Sequence, residues 1–352
     1  MKIALVGGGT AGHIIPSISV IEKIQEIDPK TEFFFVAADQ ELDKKNLESF
    51  KVKYFLPIAK LRRYFDIKNF TDIFVLLNSV YKSIKILKKE QPDLIFSKGG
   101  FIAVPFCIAA KILRIPIIMH ESDSSIGLAN KIIMPLAKQV WLSHPSSINK
   151  RYLSKTYVLN LPILNSLISP RSNFKHSEYI NPEKRNILIL GGSLGAEYLN
   201  DVIYEHREEL KHHFNVIHVI GMKNFSEKYQ KENSYIPLDY IKDLGPVYEI
   251  TDLCLSRAGA GTLAELDSLR IPAVLVPLTK AGSRGDQLLN AEYFIEKNAN
   301  SNILLESYLD SKSLLDHLLK LPNRSSKHSP KNQDKVSEKI YALFKEASSK
   351  AK

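Results

Sequence analysis

The first residues in this chain with the means to do chemistry form a glycine run ending in a histidine, Gly7-Gly8-Gly9-Thr10-Ala11-Gly12-His13. Glycines let a backbone turn tightly and approach a ligand, and a helix start behind them offers unpaired N–H groups with partial positive charge, so the pattern suits phosphate. A comparable run recurs at Gly191-Gly192-Ser193-Leu194-Gly195. A third, Arg257-Ala258-Gly259-Ala260-Gly261-Thr262, continues into Leu263-Ala264-Glu265. Placed on the first turn of a helix, Glu265 can accept both hydroxyls of a ribose while the amides of 260–262 face a diphosphate. For an isolated glutamate there, helix capping is the plainer role. Gly7, Gly9 and Gly12 also spell G-x-G-x-x-G, and Asp39 after the second strand would be its ribose carboxylate, the pattern of a nicotinamide-dependent oxidoreductase. A tight turn without ligand fits the same residues. Recurrence of the loops in the second half weighs against a single dinucleotide fingerprint.

Such loops need strands and helices to hold them. Short β-branched runs alternate with helical periods, which predicts α/β architecture with parallel sheets covered by helices. Residues 2–6 read as a strand, about 13–27 as a helix and 31–37 as the next strand. Segments 93–96 and 115–119 are continuously apolar, as buried parallel strands tend to be. After Pro162 the pattern restarts with a strand at 186–190, a helix from Ala196 and strands at 215–220, 252–255 and 273–277. A polar tract at 323–334 reads as a connector, and an amphipathic helix runs from 335 to about 345. Asp93-Leu94-Ile95-Phe96-Ser97-Lys98-Gly99-Gly100 resembles Asp252-Leu253-Cys254-Leu255-Ser256-Arg257-Ala258-Gly259, and the tetrapeptide Leu-Arg-Ile-Pro follows each, at 113–116 and 269–272. Matched units in the two halves predict two Rossmann-like domains, 1–160 and 163–334, with the linker at 160–162.

Bulk properties agree with this and narrow the partners. At 352 residues, two cores are expected before one. With 44% hydrophobic and 24% charged residues, neither a fibrous nor a wholly disordered chain fits. Cys107 and Cys254 both sit in apolar runs, which reads as buried thiols in a cytosolic protein. The apolar start is too short for a signal peptide, and the longest apolar run, 101–110, falls well short of the roughly 20 residues a membrane span needs. The net charge of +10 favours phosphate-bearing partners. No zinc-ligand spacing, RNP-like run or basic zipper appears, so nucleic acid is the weaker option. No D-x-D occurs; Glu121-x-Asp123 is the nearest carboxylate pair, and no metal site is expected.

These residues, taken in order, resemble the MurG family, glycosyltransferases that add N-acetylglucosamine to a polyprenyl-diphosphate muramoyl-pentapeptide. The elements that carry the resemblance span nearly the whole chain: Gly8-Gly9-Thr10-Ala11-Gly12-His13 with Pro16; Gly99-Gly100-Phe101; His120-Glu121 with Gly127-Leu128 and Asn130-Lys131; Gly191-Gly192-Ser193 with Gly195-Ala196; the 257–265 loop; and Gln287 with Asn290-Ala291.

The resemblance implies a GT-B fold of two Rossmann-like domains around a cleft, with a last helix, 335–350, rejoining the first domain. It implies that the second domain holds UDP-N-acetylglucosamine: Ser193 at the diphosphate, Ile241 at the uracil, Ala260, Gly261 and Thr262 at the phosphates, Leu263 and Ala264 as further donor-binding positions, Glu265 on the ribose and Gln287 on the sugar. Thr10, Ala11 and Gly12 would close from the first domain, Asp123 would touch the sugar, and Gly99 and Gly100 would serve the acceptor. A single inverting displacement needs a base near the acceptor hydroxyl. An imidazole titrates near neutrality, so His13 is the candidate and Glu121 its competitor. No cofactor is implied.

Three departures stand out. Ala11 replaces a frequent glycine. Ser122-Asp123-Ser124 stands where Gln-Asn-Gly is usual. Leu164 occupies an expected arginine position, where Arg171 is the available substitute. A related transferase acting on another lipid such as diacylglycerol, and a non-catalytic sugar-nucleotide subunit, are the other readings.

A lipid acceptor calls for a membrane-facing surface. Leu61, Arg62 and Arg63 mix cations with apolar groups, and Phe70, Ile73, Phe74, Leu77, Val80, Tyr81 and Ile84 follow at helical spacing beside lysines. Most of that stripe is expected in the core, its basic rim against anionic headgroups. The expected place is the cytoplasmic face of the inner membrane, held peripherally, with other cell-wall synthesis proteins as further partners.

Overall fold

The computed structural model describes residues 1–8, 11–48, 50–57, 68–192, 196–241, 243–278, 285–324 and 333–349; the side chains of 11, 42, 46, 68–73 and 311 lie outside that description. The chain divides into two compact units, Met1–Pro162 with Gln333–Lys352, and Ile163–Asn332.

The first unit runs β1 (Lys2–Val6), α1 (Ala11–Ile27), β2 (Glu32–Ala38), α2 (Glu41–Asn46), β3 (Lys53–Leu56), α3 (Lys68–Glu90), β4 (Leu94–Ser97), α4 (Ala103–Ile112), β5 (Ile117–Glu121), α5 (Leu128–Ile133), β6 (Gln139–Leu142) and β7 (Thr156–Val158). Among the described residues these strands form a parallel sheet in the order β3-β2-β1-β4-β5-β6-β7. The second unit runs α6 (Asn165–Ile168), β8 (Arg185–Leu190), α7 (Glu197–Glu205), α8 (Arg207–His213), β9 (Phe214–Val219), β10 (Tyr235–Leu238), α9 (Gly245–Ile250), β11 (Leu253–Ser256), α10 (Ala260–Leu269), β12 (Ala273–Leu275), α11 (Asp286–Lys297), β13 (Asn302–Ile303) and α12 (Ser311–Leu319). Its sheet, also parallel, has the order β10-β9-β8-β11-β12-β13. A final helix, α13 (Gln333–Ser348), belongs to the first unit.

Strands here are apolar on both faces because both faces are covered. In β1, Ala4 and Val6 enter one core cluster with α4 residues, whereas Ile3 and Leu5 enter another with α1 and α13. The second sheet repeats the division, with Leu188 and Leu190 on one side of β8 and Ile187 and Ile189 on the other. The period of two in side-chain direction turns an unbroken apolar run into two half-cores. Helix α13 closes the first unit by inserting Phe344, fully buried, against the rings of Trp141 at 5.2 Å and Phe96 at 5.5 Å. Tyr341 donates to Asp28 at 2.9 Å, and Lys138 donates to the carbonyls of Ala347 and Ser349 at 3.0 Å.

The repeated Leu-Arg-Ile-Pro has a structural reason. Arg114 and Arg270 take left-handed backbone, at φ 58° and 55°, one residue past the last turn of α4 and at the end of α10. Ile115 donates to Ala110 O at 2.9 Å and Arg114 to Lys111 O at 3.1 Å; Ile271 donates to Leu266 O at 3.0 Å and Arg270 to Asp267 O at 3.3 Å. Both are Schellman stops built on arginine instead of glycine, with the proline preventing any continuation. They also correct one expected strand. Ile115 belongs to the helix stop, spending its N–H on α4, and Pro116 brings only a carbonyl to the sheet, accepting from Ile95 N at 2.9 Å, so β5 starts at Ile117.

Candidate functional site

In each sheet the strand order reverses once, between β1 and β4 and between β8 and β11. Loops leaving the carboxyl ends of strands at such a point diverge, and ligands bind in the opening they leave. The glycine loops leave β1, β4, β8 and β11, which is why the internal repeat falls where it does.

In the first unit, these loops pack into one another. A Cβ on Gly8 would lie 2.3 Å from Asp43 Oδ2, whose buried carboxylate accepts from Ala38 N at 3.0 Å. Gly100, at φ 78°, sits so close that a Cβ would lie 2.8 Å from Gly8 O and 3.5 Å from His13 Nδ1. No other residue type fits either place. His13, near the start of α1, places Nδ1 2.9 Å from Gly8 O. A carbonyl only accepts, so Nδ1 carries the hydrogen, and in the neutral ring the basic nitrogen is then Nε2. Gly12 is exposed on the same turn. Thr10 lies outside the described residues, as does the Ala11 side chain.

Glu121, at the end of β5, is committed elsewhere. Its Oε1 accepts from Ser122 N at 3.0 Å and Asp123 N at 3.2 Å, and its Oε2 from Gly127 N at 2.9 Å and Asn130 Nδ2 at 3.0 Å. Four bonds use the capacity of a carboxylate, so Glu121 shapes the 122–127 loop and has no lone pair left for a substrate proton. Asp123 rides on that loop, half-buried, its carbonyl accepting from Ser147 Oγ at 3.1 Å. Gly99, at φ 85°, backs directly onto Asn130, where a Cβ would lie 2.7 Å from Oδ1.

Sequence reasoning passed over Lys98. It is 3% exposed and donates to His120 Nδ1 at 2.7 Å and Ser122 Oγ at 2.5 Å. Removal from water pulls its ammonium down to about 8, against the carboxylates of Glu121 and Asp123. His120 is held well below its usual range by burial and by that ammonium, and lies 3.2 Å from Ser143 Oγ. The repeat carried the signal, since Arg257 stands at the matching position after β11. Arg257 is also turned inward, 6% exposed, donating to Val276 O at 3.1 Å and Glu306 Oε1 at 2.5 Å.

In the second unit, Gly259 precedes the first turn of α10 without a side-chain cap, and nothing lies within 4 Å of a Cβ built on Gly259 or Gly261. The amides of Ala260, Gly261 and Thr262 open that helix. Leu263 points into the core and can offer only backbone, while Ala264 is half-buried. Since α10 starts at Ala260, Glu265 stands on its second turn and not its first, too far along to cap the helix. It accepts instead from Tyr248 Oη at 2.7 Å. Burial raises its carboxyl to about 7, the Tyr248 hydrogen bond pulling the other way. Gln287, second in α11, accepts from Leu278 N at 3.0 Å through Oε1, which leaves its NH2 as the donor end. Asn290 on the same helix donates to Ala258 O at 3.3 Å, tying α11 to the glycine loop. Ile241 lines a groove of about 1120 Å³ with Phe174, Tyr179, Phe225, Tyr229 and Tyr240. Gly192 takes φ 89°, and Ser193 lies outside the described residues. Leu164 packs against the core and Arg171 is exposed.

Asp39, the ribose carboxylate of the dinucleotide reading, is 55% exposed at its side chain and pairs with Lys44 at 2.6 Å. Leu61, Arg62 and Arg63 lie outside the described residues, as do the side chains of Phe70 and Ile73. The rest of the α3 stripe divides: Val80 and Ile84 pack on the core, whereas Phe74, Leu77 and Tyr81 are 72%, 60% and 56% exposed. Lys85 stands 4.5 Å from the Tyr81 ring. Among the described residues no helix is long and apolar enough to cross a membrane.

Two parallel α/β sheets of this order, each with glycine loops at its reversal, define the GT-B class of fold. Residues 3–142 match the Glycosyltransferase family 28 N-terminal domain and residues 186–347 the Glycosyltransferase family 28 C-terminal domain. The UDP-N-acetylglucosamine–N-acetylmuramyl-(pentapeptide) pyrophosphoryl-undecaprenol N-acetylglucosamine transferase of Clostridium kluyveri is 38% identical over 96% of this chain and 95% of its own. Its counterpart in Clostridium tetani is 40% identical over 90% of this chain and 88% of its own. The chain belongs to the MurG family. Among solved structures, Acinetobacter baumannii MurG superposes with a TM-score of 0.69 at 23% identity, covering 98% of this chain and 100% of that one. A UDP-GlcNAc 2-epimerase from Neisseria meningitidis, bound to UDP-GlcNAc, reaches 0.67 at 14% identity with 98% and 100% covered. Fold alone therefore does not select the reaction.

Proposed function

We propose that this chain is an inverting hexosyltransferase of peptidoglycan synthesis. It moves N-acetylglucosamine from UDP-N-acetylglucosamine to the muramoyl sugar of an undecaprenyl-diphosphate-linked muramoyl-pentapeptide, turning lipid I into lipid II. The observation that carries this is the 38% identity with the Clostridium kluyveri transferase along 96% of the chain.

The residues supply what the step requires. The acceptor oxygen bonds to C1 of the donor sugar as the bond from C1 to the diphosphate breaks, with the electron pair leaving on UDP. His13 Nε2 takes the hydroxyl proton. Helix α10 meets the charge growing on the diphosphate with the amides of Ala260, Gly261 and Thr262, a fixed array of donors that needs no rearrangement during reaction. Glu265 accepts the ribose hydroxyls, and the Gln287 NH2 donates to the sugar. Asp123 touches the donor sugar, and Gly99 and Gly100 serve the acceptor. Binding of UDP-N-acetylglucosamine, UDP-glucose and NAD to the purified chain tests this directly: the first is expected to bind tightest, and binding of NAD without UDP-sugars overturns the proposal.

The acceptor is a lipid, and α3 offers the means to reach it. Phe74, Leu77 and Tyr81 recur three and four residues apart, so they share one exposed face, and Lys82, Lys85 and Lys88 accompany them. Exposed apolar side chains rimmed by lysines suit the interface of an anionic bilayer, with each nearby cation adding about 1 kcal/mol. This exposed face supports the reading of a peripheral protein at the cytoplasmic face of the inner membrane, with a role in cell shape and division through the peptidoglycan it helps to make. Replacing Phe74, Leu77 and Tyr81 together with Ser is expected to abolish flotation with anionic vesicles while leaving UDP-N-acetylglucosamine affinity intact. Undiminished flotation of the triple variant removes α3 as the docking face.

A further inference from the structure

The hydroxyl that meets Glu265 comes from a different helix. Tyr248 lies in α9, fully buried in the core beneath β11 and α10, and its phenol donates to Glu265 Oε2 at 2.7 Å. Arg324 holds the two helices at this spacing: its Nη1 donates to Tyr248 O at 2.8 Å and its Nε to Leu269 O at 3.0 Å, one carbonyl in α9 and one at the end of α10. Among the described residues, the carboxylate is approached on one oxygen only, Oε2.

We infer that Tyr248 is a positioning residue for donor recognition, occupying Oε2 of Glu265 so that Oε1 is presented in one rotamer to the ribose hydroxyls, with Arg324 setting the helix spacing. This rests on the reading of Glu265 as the ribose acceptor. A glutamate has three rotatable bonds, and beside an apolar core it either turns toward water or takes up a proton. A buried phenol counters both. It fixes the side chain, and its hydrogen bond favours the charged form. Its own ionisation is pushed well above the usual range by burial and by the carboxylate, so it stays a donor. Among the described residues, Cys254 on β11 also feels this carboxylate and is held neutral by burial, while Arg324 is engaged with the backbone carbonyls of Tyr248 and Thr251.

A sign follows for pH. The ionised carboxylate accepts two hydroxyls more strongly than the acid does, so donor affinity falls as pH drops through about 7, where Glu265 protonates. Removing the phenol oxygen withdraws a bond that favours the charged form and moves this fall to higher pH.

The experiment is calorimetric titration of the full chain with UDP and with 2′-deoxy-UDP between mildly acid and mildly alkaline pH, for the unmodified chain, Tyr248→Phe, Glu265→Gln and the double variant. Tyr248→Phe is expected to weaken UDP binding about three- to tenfold near pH 7. The acid limb should shift upward, preference for UDP over 2′-deoxy-UDP should narrow, and kcat at saturating donor should hold. A purely structural tyrosine would lower thermal stability and leave the limb and the ribose preference in place, which overturns the proposal. Glu265→Gln separates the two levels. If it binds UDP normally, the ribose reading falls and this inference with it. If it loses affinity while Tyr248→Phe keeps it, only the positioning role falls. A double variant no weaker than Glu265→Gln alone supports the coupling.

Discussion

His13→Ala is expected to lower kcat by about 10²- to 10⁴-fold, the range in which a positioned general base contributes, while UDP-N-acetylglucosamine binding stays unchanged. The reason lies in how the ring is held. Gly8 O takes the Nδ1 hydrogen at 2.9 Å, and Gly100 closes behind both, so the imidazole is fixed in the tautomer whose Nε2 can receive a proton. A histidine at a helix start can also serve only to orient its loop, and His13→Asn tells the two roles apart. Asparagine retains an N–H for the Gly8 carbonyl and has no basic nitrogen. Activity near that of the unmodified chain in His13→Asn would leave His13 with a structural task; activity as low as His13→Ala assigns it the proton. The lost hydrogen bond itself costs only about 0.5–1.5 kcal/mol of stability, so denaturation midpoints for both variants should stay close to the parent. Glu121 offers no second route, because its four acceptor sites are already filled.

Glu265→Ala should weaken donor binding by about 1.5–3 kcal/mol, the loss of hydrogen bonds to a charged acceptor, which is roughly one to two orders of magnitude in affinity. Binding should also lose its dependence on pH near 7, since the group raised to about 7 is gone. Stability responds through two opposed effects. Deleting the carboxylate relieves a desolvated charge, but it also leaves the buried Tyr248 hydroxyl without its acceptor, at about 1–3 kcal/mol. Glu265→Gln keeps an acceptor for Tyr248 and removes the charge, so a Gln variant as weak in donor binding as the Ala variant assigns the loss to charge and not to local collapse. An unchanged UDP affinity in both variants refutes the ribose role.

What was readable in one dimension here is whatever depends on neighbours along the chain. Strand β1 was expected at 2–6 and is found at Lys2–Val6, because an apolar run between a start and a glycine turn admits little else. The order of glycine loops, the duplicated strand–loop–helix unit and its Leu-Arg-Ile-Pro repeat are local patterns too, and they carry the two Rossmann-like domains and the MurG resemblance, which in turn implies the GT-B class. The left-handed arginines that make the stop work were not visible, since nothing in the residue type announces φ 58° or 55°.

The glycine loops divide in the same way. Their composition and spacing foretold tight turns at strand ends; only packing decided what each turn touches. Gly8 needs to be glycine because Asp43 from α2 fills the space its side chain would take, and Gly100 because Gly8 and His13 do. Lys98 and Arg257 look like surface cations in a basic chain, yet both turn inward to partners on other elements. Glu265 meets a phenol 17 positions away on another helix, and the apolar stripe of α3 splits into core and exposed residues according to which side α4 and the sheet cover. Hydropathy and periodicity record what a segment prefers by itself. Hydrogen-bond partners, burial and proton affinity are properties of groups brought together from distant positions, so the tertiary structure alone decides which of the candidate side chains are free to act.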